Sequence, residues 1–171
     1  MHRKIWLEKL VKDNNLKSGA EVGVYQGYTL MHLIDTCPEL SMIGVDIWAE
    51  KPCRFDGTTT EELQSLPTNG PWYNDLLEFK AKHDNRVTLY RDFTINASTR
   101  VEDNSLDFIF IDADHTTQAV IDDLTVWIPK VKRGGFITGH DINMLTVSIA
   151  VNSFYTEYGK GPDNVWYLQK S

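Results

Sequence analysis

The stretch LDFIFIDADH, residues 106–115, decides the fold. Its first six residues, 106–111, are almost continuously apolar, which is typical of a strand covered on both faces of a parallel sheet. The apolar run ends on an acid, Asp112. A helix is predicted over 116–128 and a further strand at 136–138. The stretch therefore predicts a strand–helix–strand unit with parallel strands.

The same alternation of strands and helices extends outward along the chain. Its patterns predict strands at 20–24, 42–45, 86–91 and 165–168, and helices at 2–14, from Thr29 to Pro38, and near 146–158. We therefore expect an α/β fold: a Rossmann-like, doubly wound, mostly parallel sheet with helices on both faces. A single domain over residues 1–171 is expected from the length.

Helical spacing over 116–128 predicts which side chains face the sheet. The apolar positions fall on one side, and Asp122 and Asp123 fall on the other, where we expect them to face solvent. The residues expected to face inward are Ala119, Val120, Leu124, Trp127 and Ile128.

Composition narrows the class of protein. With 42% hydrophobic and 24% charged residues, the chain has the composition of a globular protein. Its formal net charge of −7 argues against nucleic acid and anionic membrane surfaces as partners. No apolar run has the length of a membrane span, and the amino-terminal residues do not resemble a signal peptide. Because Cys37 and Cys53 form no CxxC pair, we expect a reducing, cytoplasmic location.

Acidic residues follow several of the predicted strands. Asp46, Asp92 and Asp112 each end one, and the pair His140-Asp141 follows another. In an open parallel sheet the ligand lies outside the carboxyl ends of the strands. The sequence therefore predicts a ligand site rich in carboxylates at this rim.

A glycine-containing turn follows the first predicted strand, in the segment EVGVYQG at 21–27. Glycine allows a positive φ and lets the backbone approach a ligand closely. The segment is not GxGxxG, because Tyr25 stands where the second glycine would be. A dinucleotide pyrophosphate would therefore lack its close backbone approach.

Together these segments resemble the class I S-adenosylmethionine-dependent methyltransferases. The [D/E]xGxxxG pattern carries the first part of the resemblance, and IDADH at 111–115 with GHD at 139–141 carries the more specific part. The chain resembles the small IDxDH…GHD group, methyltransferase family 24, which is related to the catechol- and caffeoyl-CoA-type O-methyltransferases. The resemblance covers about residues 18–142 and implies methyl transfer, at oxygen, to a small-molecule acceptor.

The resemblance also implies how the cofactor, S-adenosyl-L-methionine, is bound. Glu21 would hold its amino-acid end, Asp46 its ribose hydroxyls and Asp112 would lie beside its sulfonium. The remaining expected contacts are Gly23 and Gly27 through their backbone, Tyr25 or Tyr28 at the sulfonium, Ile47 after Asp46, and Asp92 with Phe93 at the adenine.

A second set of residues concerns catalysis. In the catechol-type relatives a divalent ion is held at positions that correspond to Asp112, His140 and Asp141 here. A histidine among these ligands favours a softer metal than magnesium, such as manganese. Alternatively, His115 or His140 acts as a general base without a metal, since imidazole titrates in the useful range. A third reading makes both histidines members of a buried polar network, and the sequence leaves all three open.

Two regions depart from the expected pattern. Residues 48–71 interrupt the alternation and form either an inserted loop or lid, or a surface insertion with one short helix around 61–66. After Asp141 only the strand at 165–168 is evident, and 159–164 stand where a sixth strand is expected. This predicts a sheet truncated at its carboxyl-terminal strands, or one whose edge is covered by a second copy in a homodimer.

Two other functions are compatible with the same patterns. An NAD-dependent or nucleotide-sugar enzyme shares the fold class, although the missing glycine and the acid Glu21 count against it. A cofactor-binding subunit without activity of its own is the other, and the short region after Asp141 favours it.

Overall fold

The computed structural model describes residues 1–50 and 59–171. Within these ranges seven strands form one sheet. The strands are β1 Ser18–Val22, β2 Ser41–Asp46, β3 Val87–Arg91, β4 Leu106–Ile111, β5 Val131–Gly139, β6 Gly159–Lys160 and β7 Trp166–Gln169. The helices are α1 Arg3–Asp13, α2 Tyr28–Thr36, α3 Thr60–Ser65, α4 Gly70–Lys82, α5 Thr94–Ser98, α6 Thr117–Trp127 and α7 Leu145–Phe154, with a 3₁₀ turn at Ile128–Lys130.

The strand order is β3-β2-β1-β4-β5-β7-β6. Strands β1 to β5 run parallel, and β7 pairs antiparallel with β5 and with β6. The order reverses between β1 and β4, so the carboxyl ends of these two neighbours form the point where such sheets bind ligands. The predicted doubly wound, mostly parallel α/β fold is confirmed.

Helices cover both faces of the sheet, which explains why the sequence of β4 is almost continuously apolar. Phe108 and Phe110 point into a core shared with α1, α2 and α4. Ile109 and Ile111 point into the opposite core, which α5, α6 and α7 cover. Because neither face of β4 meets water over 108–111, all four of these residues are apolar, whereas Asp107 near the start of the strand pairs with Lys132.

The expected truncation of the sheet is wrong. Gly159–Lys160 forms a short strand, β6, against β7 and completes seven strands. A side chain at position 159 would collide with the ring of Tyr167, which lies 2.4 Å from where a Cβ would stand. A two-residue strand that begins with glycine carries no alternating pattern, so sequence periodicity could not find it.

The region 48–71 is only partly a loop. Residues 51–58, with Cys53, lie outside the described residues. The short helix expected around 61–66 is present as α3, which begins with a capping box between Thr59 and Glu62. Helix α4 was not foreseen, because Gly70-Pro71 resembles a turn, yet proline also fits the first turn of a helix.

The turn after β1 depends on a close approach of two backbones. Gly23 has φ +94°, and a Cβ there would lie 2.3 Å from the carbonyl oxygen of Asp112. Gly134 also has a positive φ, +78°, but open space surrounds the corresponding position.

We expect Gly23→Ala to destabilise the protein far more than Gly134→Ala. Both substitutions carry the left-handed backbone cost of about 1–2 kcal/mol, but only alanine at 23 must also push β1 away from β4. Urea unfolding of both variants measures the difference. Equal losses in the free energy of unfolding would contradict the close approach.

Candidate active site

A cleft of about 660 Å³ opens at the carboxyl ends of the parallel strands. This volume lies within the range of small-molecule and cofactor sites. Every residue expected to contact a cofactor lines it: Glu21, Gly23, Tyr25, Gly27, Tyr28, Asp46, Ile47, Asp92, Phe93 and Asp112. His115 lines it too, whereas His140 and Asp141 stand behind Asp112.

The β1–α2 turn forms one wall of the cleft. Gly27 has φ +81°, and Leu76 of α4 fills the space where its side chain would stand. The turn leaves Tyr25 and Tyr28 exposed, by 58% and 65%, at the mouth. The ring of Tyr25 meets that of Trp72 edge-on, with centroids 4.7 Å apart. An aromatic face exposed at such a mouth favours a cationic or planar ligand.

Glu21, at the end of β1, is a buried carboxylate with an unused oxygen. It is 3% exposed, and its Oε2 has no hydrogen-bond partner. Burial, and then the negative charge of Asp112, raise the pKa of Glu21 well above its ordinary value. A cationic ligand group beside Glu21 would relieve this, because it would pair with the ionised carboxylate.

Asp46 joins the ends of β1 and β2. Its two carboxylate oxygens accept hydrogen bonds from the backbone N–H groups of Tyr25 and Trp48, each at 2.8 Å. Burial raises the pKa of Asp46, and these backbone donors oppose the rise. Asp46 also lines the cleft, where its carboxylate can accept a ligand hydroxyl.

Asp92 is wholly buried, and its oxygens already have protein partners. Its Oδ1 accepts from the Phe93 N–H at 2.8 Å and from the Thr60 hydroxyl at 2.9 Å, and its Oδ2 forms an ion pair with Arg100. Asp92 therefore fixes the loop that presents Phe93 to the cleft. Direct contact between its carboxylate and an adenine stays a prediction.

The outward placement of Asp123 is wrong. Asp123 is 2% exposed, lines the cleft and accepts a hydrogen bond from the Thr94 hydroxyl. Burial raises its pKa to about 7. Helical periodicity places Asp123 on the polar side of α6. It cannot show that α6 also packs against a second apolar surface, which α5 supplies.

An Asp–His cluster, defined as Asp112, His115, His140 and Asp141, lies beside the cleft. Nε2 of His115 is 3.4 Å from Oδ1 of Asp112 and 2.9 Å from Oδ2 of Asp141, without the alignment that a hydrogen bond requires. The contact with Asp112 raises the pKa of His115, and the charges of Asp112 and Asp141 add to this.

His140 completes the Asp–His cluster from behind. Its Nδ1 is 3.1 Å from Asp141 Oδ1 and 3.6 Å from Asp112 Oδ1, while its Nε2 is buried without a partner. The structure thus brings the expected set Asp112, His140 and Asp141 together. In the described ranges, the group whose ligand atoms all lie within 4.8 Å of one another contains His115 in place of His140. A metal could therefore use either histidine.

Residues 20–142 match the profile of a family described as a methyltransferase domain. The chain belongs to this family. It is an S-adenosylmethionine-dependent methyltransferase, as the motifs predicted, and the NAD-dependent, nucleotide-sugar and non-catalytic alternatives are set aside. Curated protein sequences gave no match.

Solved structures show the same fold at low identity. The chain is similar to the O-methyltransferase NovP, with a TM-score of 0.70, 17% identity, and 99% of this chain and 78% of NovP covered. For CalS11, a TDP-rhamnose 3'-O-methyltransferase of calicheamicin biosynthesis, the TM-score is 0.69, the identity 14% and the coverage 98% and 78%. For the Podospora anserina methyltransferase PaMTH1 with bound S-adenosylhomocysteine, the values are 0.66, 14%, 99% and 78%.

The residues of the cleft fit this methyltransferase cofactor. The unpartnered oxygen of Glu21 suits an ammonium group, and the two carboxylate oxygens of Asp46 at the cleft suit paired ribose hydroxyls. Elsewhere in the described ranges, no helix is long and apolar enough to cross a lipid bilayer.

Glu21→Gln should weaken S-adenosylhomocysteine binding at least roughly tenfold, since hydrogen bonds to charged groups contribute about 1.5–3 kcal/mol. It should also stabilise the free protein at pH 8, because glutamine removes the cost of a buried charge. Calorimetric titration and thermal unfolding test both effects, with exposed Glu102→Gln as the control. Unchanged binding would contradict the contact with the ligand.

Asp123→Asn should change how stability depends on pH. A folded-state pKa of about 7, against about 3.9 when unfolded, means that the free energy of unfolding falls as pH rises from about 4 to about 7. In Asp123→Asn this decline should shrink, whereas the neighbouring Asp122→Asn should retain it. Urea unfolding from pH 4 to pH 9 measures the slopes, and identical slopes in all three proteins would contradict the burial effect.

Proposed function

We propose that this methyltransferase methylates a hydroxyl oxygen of a small molecule, and that the Asp–His cluster binds that hydroxyl. The observation that carries the proposal is that Asp112 and His115 line the same cleft as Glu21 and Asp46. The groups that would hold the cofactor and those that would hold the acceptor therefore share one cavity. Such alignment is the main contribution a protein makes to methyl transfer.

Two structural neighbours support oxygen as the methylated atom. NovP is an O-methyltransferase, and CalS11 methylates the 3'-oxygen of TDP-rhamnose. Both names state methyl transfer to oxygen. This agrees with a cluster that holds two carboxylates and two imidazoles. The net charge of −7 also favours a small acceptor over nucleic acid.

We further propose that the Asp–His cluster holds a divalent ion. Nε2 of His115 and Oδ2 of Asp141 converge at 2.9 Å without a hydrogen bond, as two ligands of one ion do. A set with carboxylate oxygens and imidazole nitrogens suits manganese better than magnesium. When bound, such an ion lowers the pKa of an acceptor hydroxyl.

The protein's own groups have separate tasks in this reaction. Without such an ion, the imidazole of His115 at the cleft takes the hydroxyl proton instead. Asp112 and Asp141 face that imidazole and stabilise its protonated form. His140, which is 9% exposed, orients Asp141 from behind and has no access to an acceptor in the cleft. His140 is therefore proposed as a positioning residue or metal ligand and not as the base.

Other expectations from the sequence bear on the protein as a whole. We propose that residues 1–171 form one methyltransferase domain, since a single sheet runs from Ser18 in β1 to Gln169 in β7. A cytoplasmic location also remains our proposal. The homodimer was expected on the argument that the sheet lacked an edge strand. Because β6 pairs with β7 at that edge, this argument no longer holds.

Asp141→Asn should abolish most turnover while binding S-adenosylhomocysteine within about twofold of the wild type, since Asp141 lies outside the cleft lining. The loss should be roughly 100-fold or more, in the range for removal of general acid–base assistance. Tritiated S-adenosylmethionine, offered with a catechol and with TDP-rhamnose, measures transfer, and Asp84→Asn on the surface is the control.

Manganese titration of metal-free protein, followed by electron paramagnetic resonance, tests the ion separately. The wild type should bind one manganese, and Asp141→Asn should bind it at least roughly tenfold more weakly, as the loss of a charged ligand implies. Full turnover of chelator-treated protein, with a requirement for His115, would contradict the ion and retain the base.

A further inference from the structure

One cationic side chain enters the cleft from a part of the chain far from the motifs. Arg3 is the first residue of α1, and its side chain lines the same cleft as Glu21. Its Nη2 lies 3.6 Å from Oδ2 of Asp112. Its Nε is buried and has no hydrogen-bond partner, although the side chain as a whole is 31% exposed. The guanidinium therefore has donors to spare at this position.

The charges around Arg3 are almost all negative. In the parts of the chain that the structure describes, Arg3 is the only lysine or arginine that lines the cleft. The acids that line it are Glu21, Asp46, Asp92, Asp112, Asp114, Asp122 and Asp123. S-adenosylmethionine brings a carboxylate as well as an ammonium and a sulfonium. That carboxylate would be repelled by these acids unless a cation faced it.

We propose that Arg3 binds the carboxylate of the cofactor's amino-acid end, beside Glu21, which takes the ammonium. This inference rests on the cofactor assignment and adds a residue that the motifs do not contain. A guanidinium presents several N–H donors in one plane, which matches the two oxygens of a carboxylate. Asp112 at 3.6 Å holds the guanidinium in the cleft without a close hydrogen bond.

The carboxyl-terminal hairpin fixes where Arg3 stands. Oδ2 of Asp163, in the β6–β7 turn, accepts a hydrogen bond from the Arg3 backbone N–H at 3.1 Å. One turn further along α1, the ring of Trp6 packs on Tyr167 of β7, with centroids 5.0 Å apart. Two separate contacts therefore lock the start of α1 to the hairpin. This arrangement makes Arg3 a preorganised ligand group.

A plainer role for Arg3 is to neutralise Asp112. The two roles differ in what they predict for ligands. If Arg3 binds the carboxylate, its loss affects S-adenosylhomocysteine and spares decarboxylated S-adenosylhomocysteine, which keeps the amine and lacks the carboxyl group. If Arg3 only neutralises Asp112, its loss changes the affinity for both ligands in the same direction.

Calorimetric titration of Arg3→Gln with both ligands therefore tests the proposal. We expect S-adenosylhomocysteine to bind roughly 10- to 100-fold more weakly, as the loss of charge-assisted hydrogen bonds implies. Decarboxylated S-adenosylhomocysteine should bind within about twofold of its wild-type affinity. Arg3→Lys should fall between, since it keeps the charge and loses the planar fork. Lys9→Gln, on the exposed side of the same helix, should match the wild type.

The outcomes separate this inference from the function itself. Equal weakening of both ligands, or no weakening of either, overturns the role of Arg3 and leaves the cofactor assignment intact. Wild-type protein that binds neither ligand overturns the cofactor assignment, and the role of Arg3 with it. Thermal unfolding of each variant shows that it is folded, and a Glu21→Gln titration in parallel shows that the amino-acid end is bound in the cleft.

Discussion

The backbone hydrogen bond from the Asp112 N–H to the Val22 carbonyl, at 2.8 Å, is the contact on which the active site depends. It is the last link between β1 and β4, at the point where the strand order reverses. Because of it, the glycine turn after β1 lies against the residues that follow β4. Glu21, which belongs to one strand, and Asp112, which follows the other, therefore face the same cleft.

The cleft concentrates carboxylates at a cost to the free protein. Burial raises the pKa values of Glu21 and Asp46, and the charge of Asp112 adds to the rise at Glu21, so the ionised forms are disfavoured in the free protein. In the proposed site the ammonium of the cofactor would pair with Glu21. The carboxylates proposed to bind the ligand are therefore the same groups that make the unliganded protein less stable.

The sequence was informative where one physical demand determined several adjacent residues. The continuous apolar run at 106–111 predicted β4 to the residue, because both faces of that strand are covered. Strand-end acids identified the rim of the cleft for a similar reason, since parallel strands bring their carboxyl ends together. These are consequences of local pattern and could be read without a structure.

Long-range placement could not be read in this way. Arg3 enters the cleft because α1 docks on a hairpin more than 150 residues later in the chain, with Asp163 as the contact. Asp123 is buried because α5, which has five residues and weak periodicity, covers it. In both cases the contacting segment, the carboxyl-terminal hairpin or α5, has only weak hydrophobic periodicity. The surroundings of the side chain are therefore determined by tertiary packing and not by local sequence.

The double-sided burial of β4 also bears on how the chain reaches its fold. During synthesis, Leu106–Ile111 emerges before β5, so one edge of the strand stays unpaired for a time. A short apolar segment of this kind is prone to self-association. Asp107 and Asp112 place a charge within it and a charge at its end, where natural chains carry residues that interrupt aggregation. The position of Asp112 at the end of the apolar run thus matters for the unpaired strand as well as for the cleft.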